Sequence, residues 1–342
     1  MRAVQRNCDI ADARHAADHT LCIFLLKMRE HYRWEQGLSL TAALPKEAVG
    51  GWLARREALW AELEGDDYGP LPLPDGPCDP FDAEAANRWL LPRGCLYGAG
   101  LGRGGRPTFF LAELLRQEER SGVRVRVAGR ELARDMAAPA AMLQGEVVTV
   151  RTDALRREVW SRVEEWRWQR RDGPLDRALS RLAAETGGGD AELLEAATRL
   201  QTEAAILHEV GEAKAGNLLG PQWLEMQAAS GCGRTEICLR AVRDLLADAL
   251  VTLPALAAGA EPAAIHLYFA HLRGLRRALA ADWVAAYDRY HAEGDPAPLA
   301  AAAAAGARRW RREAEGLLAA WREGEERLAA LAEALLAQAA GG

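Results

Sequence analysis

The sequence predicts a mainly α-helical protein, a helical bundle with one small glycine-rich α+β segment at about 93–151 that contains a short antiparallel β-sheet. Apolar residues recur at helical spacing over long stretches poor in Gly and Pro, notably 9–35, 190–219 and 262–293. Within 93–151 that period gives way to strict alternation in Val123-Arg124-Val125-Arg126-Val127, a strand pattern. The same segment holds the densest glycine run, Gly98 to Gly105. A chain of 342 residues with 49% hydrophobic content can bury a sizeable core, in one large domain or several ordinary ones.

In chain order, 9–35 reads as one helix with Ala17, Leu21, Phe24, Leu25 and Met28 on its apolar side. A second helix is expected over 45–64, with Pro45 in its first turn and Gly65 as its stop. The proline-punctuated run 69–77 reads as a linker without regular structure. A short helix over 82–91 follows. Thr108 to Glu119 reads as a strand paired with 123–128 through Ser121-Gly122, a crossover helix being the alternative, and 146–150 as a further strand. Asp153 is placed to cap a helix over 154–171 that shows Leu155, Val159, Val163 and Trp166 on one face. Helices are then expected over 190–219, 234–253 (ended by Pro254) and 262–293, with 221–233 as a connection. The Ala- and Arg-rich tail carries a stripe of Trp310, Leu317, Trp321, Leu328, Leu331 and Leu335. This organises the chain as N-terminal helices (1–68), linker plus β-containing segment (69–152), helical bundle (153–293) and helical tail (294–342).

The net charge of −6, from 43 basic and 49 acidic residues, speaks against a broad nucleic-acid footprint. No apolar run approaches the ~20 residues of a membrane helix, and no secretory leader pattern opens the chain, so a cytoplasmic location without membrane contact is expected. The six cysteines are scattered without a CxxC pair, as expected of reduced thiols rather than a zinc ribbon or a disulfide framework.

Candidate chemistry comes from polar residues where a core should be apolar. On 190–219, Gln201, His208 and Glu212 fall inside the apolar arc, with Glu209 at its edge. A His and a Glu four residues apart share one helix face, and burying them requires partners. Arg276 falls amid the arc of Ile265, Phe269, Leu272, Leu279, Trp283 and Tyr287, which calls for a carboxylate such as Glu212 or a ligand anion. On the first helix, Asp12, His15, His19 and Cys22 form a stripe flanked by Asp18. A divalent iron, manganese or zinc ion held by His15, Asp18, His19, His208 and Glu212 is the leading reading, with Gln201, Glu209 and Arg276 around it. The dimetal signature Glu-x-x-His is absent. On 234–253, Arg240 and Asp244 read as an i,i+4 pair, and Asp244 and Asp248 gain a metal role if their face borders a cavity.

The glycine run matches G-x-G-x-x-G at Gly100, Gly102 and Gly105, and with Arg103 and Arg106 it could bind an anion or a nucleotide if a strand precedes it and a helix follows. Trp160, Trp166 and Trp168 among Arg162, Arg167, Arg170 and Arg171 read as a packed helix end. The stretches Tyr97-Gly98-Ala99-Gly100, Arg130-Glu131-Leu132-Ala133-Arg134-Asp135 and His208-Glu209-Val210-Gly211-Glu212 resemble an uncharacterised bacterial family, a domain of unknown function. The resemblance covers about 10–290, leaves the tail after about Gly294 outside, and implies no activity. The main alternative to a metal-dependent enzyme is a scaffold or regulatory protein. It would act on a protein partner, or on itself, through helical faces, with Gln201, His208, Glu212 and Arg276 in a closed network. A small-molecule ligand is compatible with either.

Overall fold

Polar residues at the N-terminus decide the first departure from simple periodicity. In the computed structural model, which describes residues 1–102, 105–168, 171–231 and 233–340, the 9–35 stretch is not one helix. Helix α1 (Arg2–His15) ends in a 3₁₀ turn (Ala16–Asp18), and α2 (Leu21–Glu35) starts afresh. Asn7 exchanges two hydrogen bonds with the Gly69 backbone, Asp9 accepts from Arg56 at 2.7 Å, and Asp12 accepts from Met136 N at 2.7 Å. Those bonds orient α1. Helix α2 instead follows the apolar contacts of Met28 and Tyr32 with Trp52, Trp60 and Met136. The Asp12–His15–His19–Cys22 stripe is thereby broken, with Asp12 buried and Cys22 exposed. Arg103, Gly104, Arg170 and Cys232 lie outside the described residues.

The chain divides into two compact units. The first comprises Met1–Glu118, Val125–Gln144 and Thr149–Ser161; the second comprises Glu119–Arg124, Gly145–Val148 and Arg162–Gly342. In the first unit, α3 (Lys46–Leu63) is followed by strands β1 (Leu71–Leu73) and β2 (Gly76–Cys78), which pair antiparallel. The expected irregular linker is therefore a small hairpin. Its prolines are tolerated because both strands are edges. Helix α4 (Ala83–Leu90) is capped by Asp82, which accepts from Ala85 N at 2.8 Å.

The β part is larger than a short antiparallel sheet. Strands β3 (Cys95–Leu101), β4 (Pro107–Arg120), β5 (Val123–Arg134), β6 (Ala141–Gln144) and β7 (Val147–Arg151) form a mixed sheet of order β3-β4-β5-β7-β6. The stretch 108–119 is a strand, turned into β5 by Ser121 (φ 53°) and Gly122 (φ 80°), the two left-handed residues of a tight hairpin. A core of Val4, Cys8, Leu71, Tyr97, Phe109 and Ala133 joins α1, both sheets and α4.

Helix α5 (Thr152–Trp168) leads into the second unit: α6 (Pro174–Thr186), α7 (Asp190–Leu219), α8 (Pro221–Ala229) and α9 (Arg234–Ala247). The expected connection 221–233 thus holds a helix, anchored by buried Trp223 and Met226. Pro254 does not end α9. A π-helical turn (Asp248–Thr252) carries the chain into α10 (Leu253–Ala257), where the proline occupies the first turn and owes no donor. The 262–293 stretch breaks into α11 (Pro262–His271), α12 (Gly274–Leu279) and α13 (Ala281–Glu293), because Leu272 and Arg273 are extended, Gly274 is left-handed and Ala280 leaves the helical region. Finally α14 (Ala297–Glu323) and α15 (Glu325–Ala340) pack on α9 and bury Trp310, Leu317, Leu328 and Leu335. The tail is part of the second unit's core. No described helix is long and apolar enough to cross a membrane.

Candidate metal centre

Helix α7 buries Leu193, Leu194, Ala197, Leu200, Ile206 and Val210. It lies against the end of α9 at very short range, because a Cβ on Gly211 would sit 2.5 Å from the carbonyl oxygen of Ala247. This approach sets His208 and Glu212 opposite Asp244 and Asp248. The π turn begins at Asp248, and such turns commonly mark functional sites.

Asp248 is fully buried and gathers three donors. His208 Nδ1 lies 2.8 Å from its Oδ1, Tyr268 donates to its Oδ2 at 2.9 Å, and Arg276 from α12 donates to the same oxygen. That leaves His208 Nε2 facing Glu212 Oε1 at 3.6 Å, while Glu212 Oε2 accepts from Arg243 at 2.6 Å. Asp244 Oδ2 lies 3.8 Å from Arg276, and its other oxygen is buried with no hydrogen-bond partner among the described residues. His208, Glu212 and Asp244 each offer one ligand atom, and these atoms lie within 4.8 Å of one another. Two ligands on one ion at about 2.0–2.2 Å lie at most about 4.4 Å apart, so an ion would draw these side chains slightly together. The His208 and Glu212 side chains retain 22% and 14% exposure, so solvent reaches the cluster.

The electrostatics follow from burial and pairing. Burial disfavours a charged His208, but the Asp248 carboxylate overrides it and holds the ring well above the ordinary imidazole range. Burial likewise opposes an ionised Asp248, and Arg276 and His208 hold it well below the usual carboxylate range. Glu212 is lowered to about 2 against burial by His208 and Arg243, whereas burial and the Glu212 charge push Glu209 up to about 7. Asp244 is raised by burial, with His208 and Arg276 opposing.

The chain belongs to the family of unknown function DUF6866. The family's N-terminal domain matches residues 1–151 and its C-terminal domain 156–339, so the match runs past the 290 limit expected from the resemblance and includes the tail. No curated protein and no solved structure matches the chain. The cluster lies wholly within the C-terminal domain of the family.

Of the residues expected at a site, His208 and Glu212 stand in the cluster and Arg276 beside it. Arg276 pairs with Asp248 and lies near Asp244 instead of Glu212, whose partner is Arg243. Arg240 pairs with Glu236, leaving Asp244 free for the cluster. Gln201 Oε1 is buried without a partner among the described residues. His15, Asp18 and His19 belong to the first unit, where Asp18 bridges His15 and Arg106 at 3.2 Å each. They are not part of the ligand group.

The described part of the glycine run does not form a phosphate cradle. Gly100 lies in β3, Gly102 N donates to Arg106 O at 2.7 Å, and β4 follows where a phosphate cradle needs a helix. A Cβ on Gly100 would fall 1.9 Å from Gln144 Nε2, so the glycine leaves room for that side chain.

Periodicity missed Arg243 and Tyr268, and it weighted Asp248 too lightly. The signal was present: Leu245-Leu246-Ala247-Asp248-Ala249-Leu250 is an apolar run interrupted by one acid. Also missed was a buried ion set in the first unit. Glu131 holds Arg151 at 2.6 Å and Arg157 at 2.7 Å, with Arg134 at 3.7 Å.

Proposed function

We propose that the C-terminal unit holds one divalent transition-metal ion on His208 Nε2, Glu212 and Asp244, and acts as a metal-dependent hydrolytic enzyme. The observation that carries this reading is the orientation of His208. Its Nδ1 is fixed on a buried carboxylate, so its Nε2 is turned toward Glu212, and an ion taking the place of the Nε2 proton would complete the carboxylate–histidine–metal arrangement. The unpartnered oxygen of Asp244 supports the same reading, since an ion would supply the missing partner. Three protein ligands leave coordination positions for water and substrate, and a bound ion makes that water a nucleophile at neutral pH. Arg243 and Arg276 beside the ligands would suit an anionic substrate.

A second reading rests on charge balance. Three cationic side chains (His208, Arg243, Arg276) face three carboxylates (Glu212, Asp244, Asp248), which is also what a closed structural network requires. Metal content by plasma mass spectrometry separates the two. Wild type reconstituted anaerobically with iron, manganese or zinc is compared with His208→Ala and Asp244→Asn, with circular dichroism confirming folded variants. Near-stoichiometric metal lost in both variants supports the centre. An equal, low metal content in all three, after each ion has been tried, rejects it and leaves the network reading.

A further inference from the structure

A second feature of the C-terminal unit stands independent of the metal reading. The loop after α5 and the α11–α12 junction enclose a cleft of about 290 Å³. Its apolar lining includes Trp166, Pro174, Phe269 and Leu272. Phe269 and Leu272 are almost fully buried, and Phe269 stacks on Tyr287 with ring centroids 4.4 Å apart. The Trp166 indole is fixed by donating to Asp176 at 2.7 Å. Phe269 and Leu272 thus meet the cleft only by their edges, and the half-buried Trp166 and Pro174 give its floor the accessible apolar surface.

Charge is distributed unevenly over the lining. It includes Arg171, Arg273 and Arg277 against Glu165 and Asp172. Both acids are already answered. Glu165 accepts from Arg162 at 2.9 Å and lies 3.7 Å from Arg273, and Asp172 lies 3.4 Å from Arg177. Arg171 and Arg277 are exposed and have no acidic partner among the described residues. Two guanidinium groups free to donate beside a rigid aromatic floor are the recognition elements for a compound with an anionic head and a flat body.

We propose that this cleft binds a small organic anion, a planar apolar body bearing one carboxylate or phosphate group. The floor takes the ring, and Arg171 and Arg277 take the anionic head.

The test is titration calorimetry on the full chain with phenyl phosphate and benzoate as probes. Inorganic phosphate and benzyl alcohol are the controls. At least one aromatic anion should bind at one site, about tenfold or more tightly than either control, because only it engages both the floor and the arginines. Which of the two probes wins identifies the head group. Arg171→Gln and Arg277→Gln should each weaken that binding about fivefold or more with an unchanged melting temperature. Inorganic phosphate binding as tightly as phenyl phosphate, an affinity unchanged in both variants, or the absence of heat with either aromatic probe at millimolar concentration would each overturn the proposal.

Discussion

The Glu131→Gln substitution tests how the N-terminal unit is held together. Gln keeps the shape and one acceptor but removes the charge. The Glu131 side chain is fully buried, as is that of Arg151, and Arg134 and Arg157 are only 3% and 12% exposed. The variant leaves three guanidinium groups crowded together with the central carboxylate gone. Removing one partner of a buried ion pair costs about 3–5 kcal/mol, and here the upper end applies because Arg134 and Arg151 cannot turn to water. At about 2–4 °C per kcal/mol for a unit of this size, the melting temperature falls by roughly 10–20 °C. Urea unfolding, with hydrogen exchange at the β5 and β7 amides to assign the transition to this unit, measures the loss.

The sign of the pH dependence is also determined. Burial alone would raise the Glu131 pKa, but Arg151, Arg157 and Arg134 hold it well below the usual carboxylate range. A depressed folded pKa contributes stability above the unfolded value of about 4.3, and that stability is lost as pH falls through the folded pKa. The gap between wild type and Glu131→Gln is therefore constant from neutral pH down to about 4.3 and closes only in stronger acid. A loss below about 1 kcal/mol at neutral pH, or a gap that closes between pH 7 and 5, would show that Glu131 is not the charge holding these arginines.

Two further outcomes concern the C-terminal unit. Asp248→Asn removes the charge that Arg276 and His208 share, and we expect a loss of about 3 kcal/mol in urea unfolding, the low end for a buried pair because Arg276 is 28% exposed. Metal binding should weaken in parallel, and a variant as stable as wild type would show that Asp248 does not organise the cluster. Gly211→Ala adds a Cβ 2.5 Å from the Ala247 carbonyl, where only backbone can give way. The overpacking cost of about 1–3 kcal/mol should exceed the roughly 1 kcal/mol that Ala gains in helix propensity, and calorimetric stabilisation of the variant would contradict the close α7–α9 approach.

Much of this molecule is legible in local pattern. Alternation at 123–127 marks β5, and Ser121-Gly122 marks the turn that makes 108–119 its neighbouring strand. The i,i+4 spacing of His208 and Glu212 places them on one face of α7, and the apolar arc around them marks the face that packs. These features depend on the backbone within a few residues, which is what sequence reports directly.

Partner choice is different, because it depends on segments distant in the chain. The pairing of Arg243 with Glu212 and of Arg276 with Asp248 requires the α7–α9 contact at Gly211 and the break before α12 at Gly274. Helical periodicity projected through that break set Arg276 on a continuous arc that does not exist. The placement of α1 is likewise fixed by Asn7, Asp9 and Asp12 reaching Gly69, Arg56 and Met136, residues between about 50 and 125 positions away. Residue order alone sets which faces are apolar and which polar groups interrupt them. Which buried charge meets which is a matter of packing, because a buried ion must find its counter-charge wherever the fold brings one close.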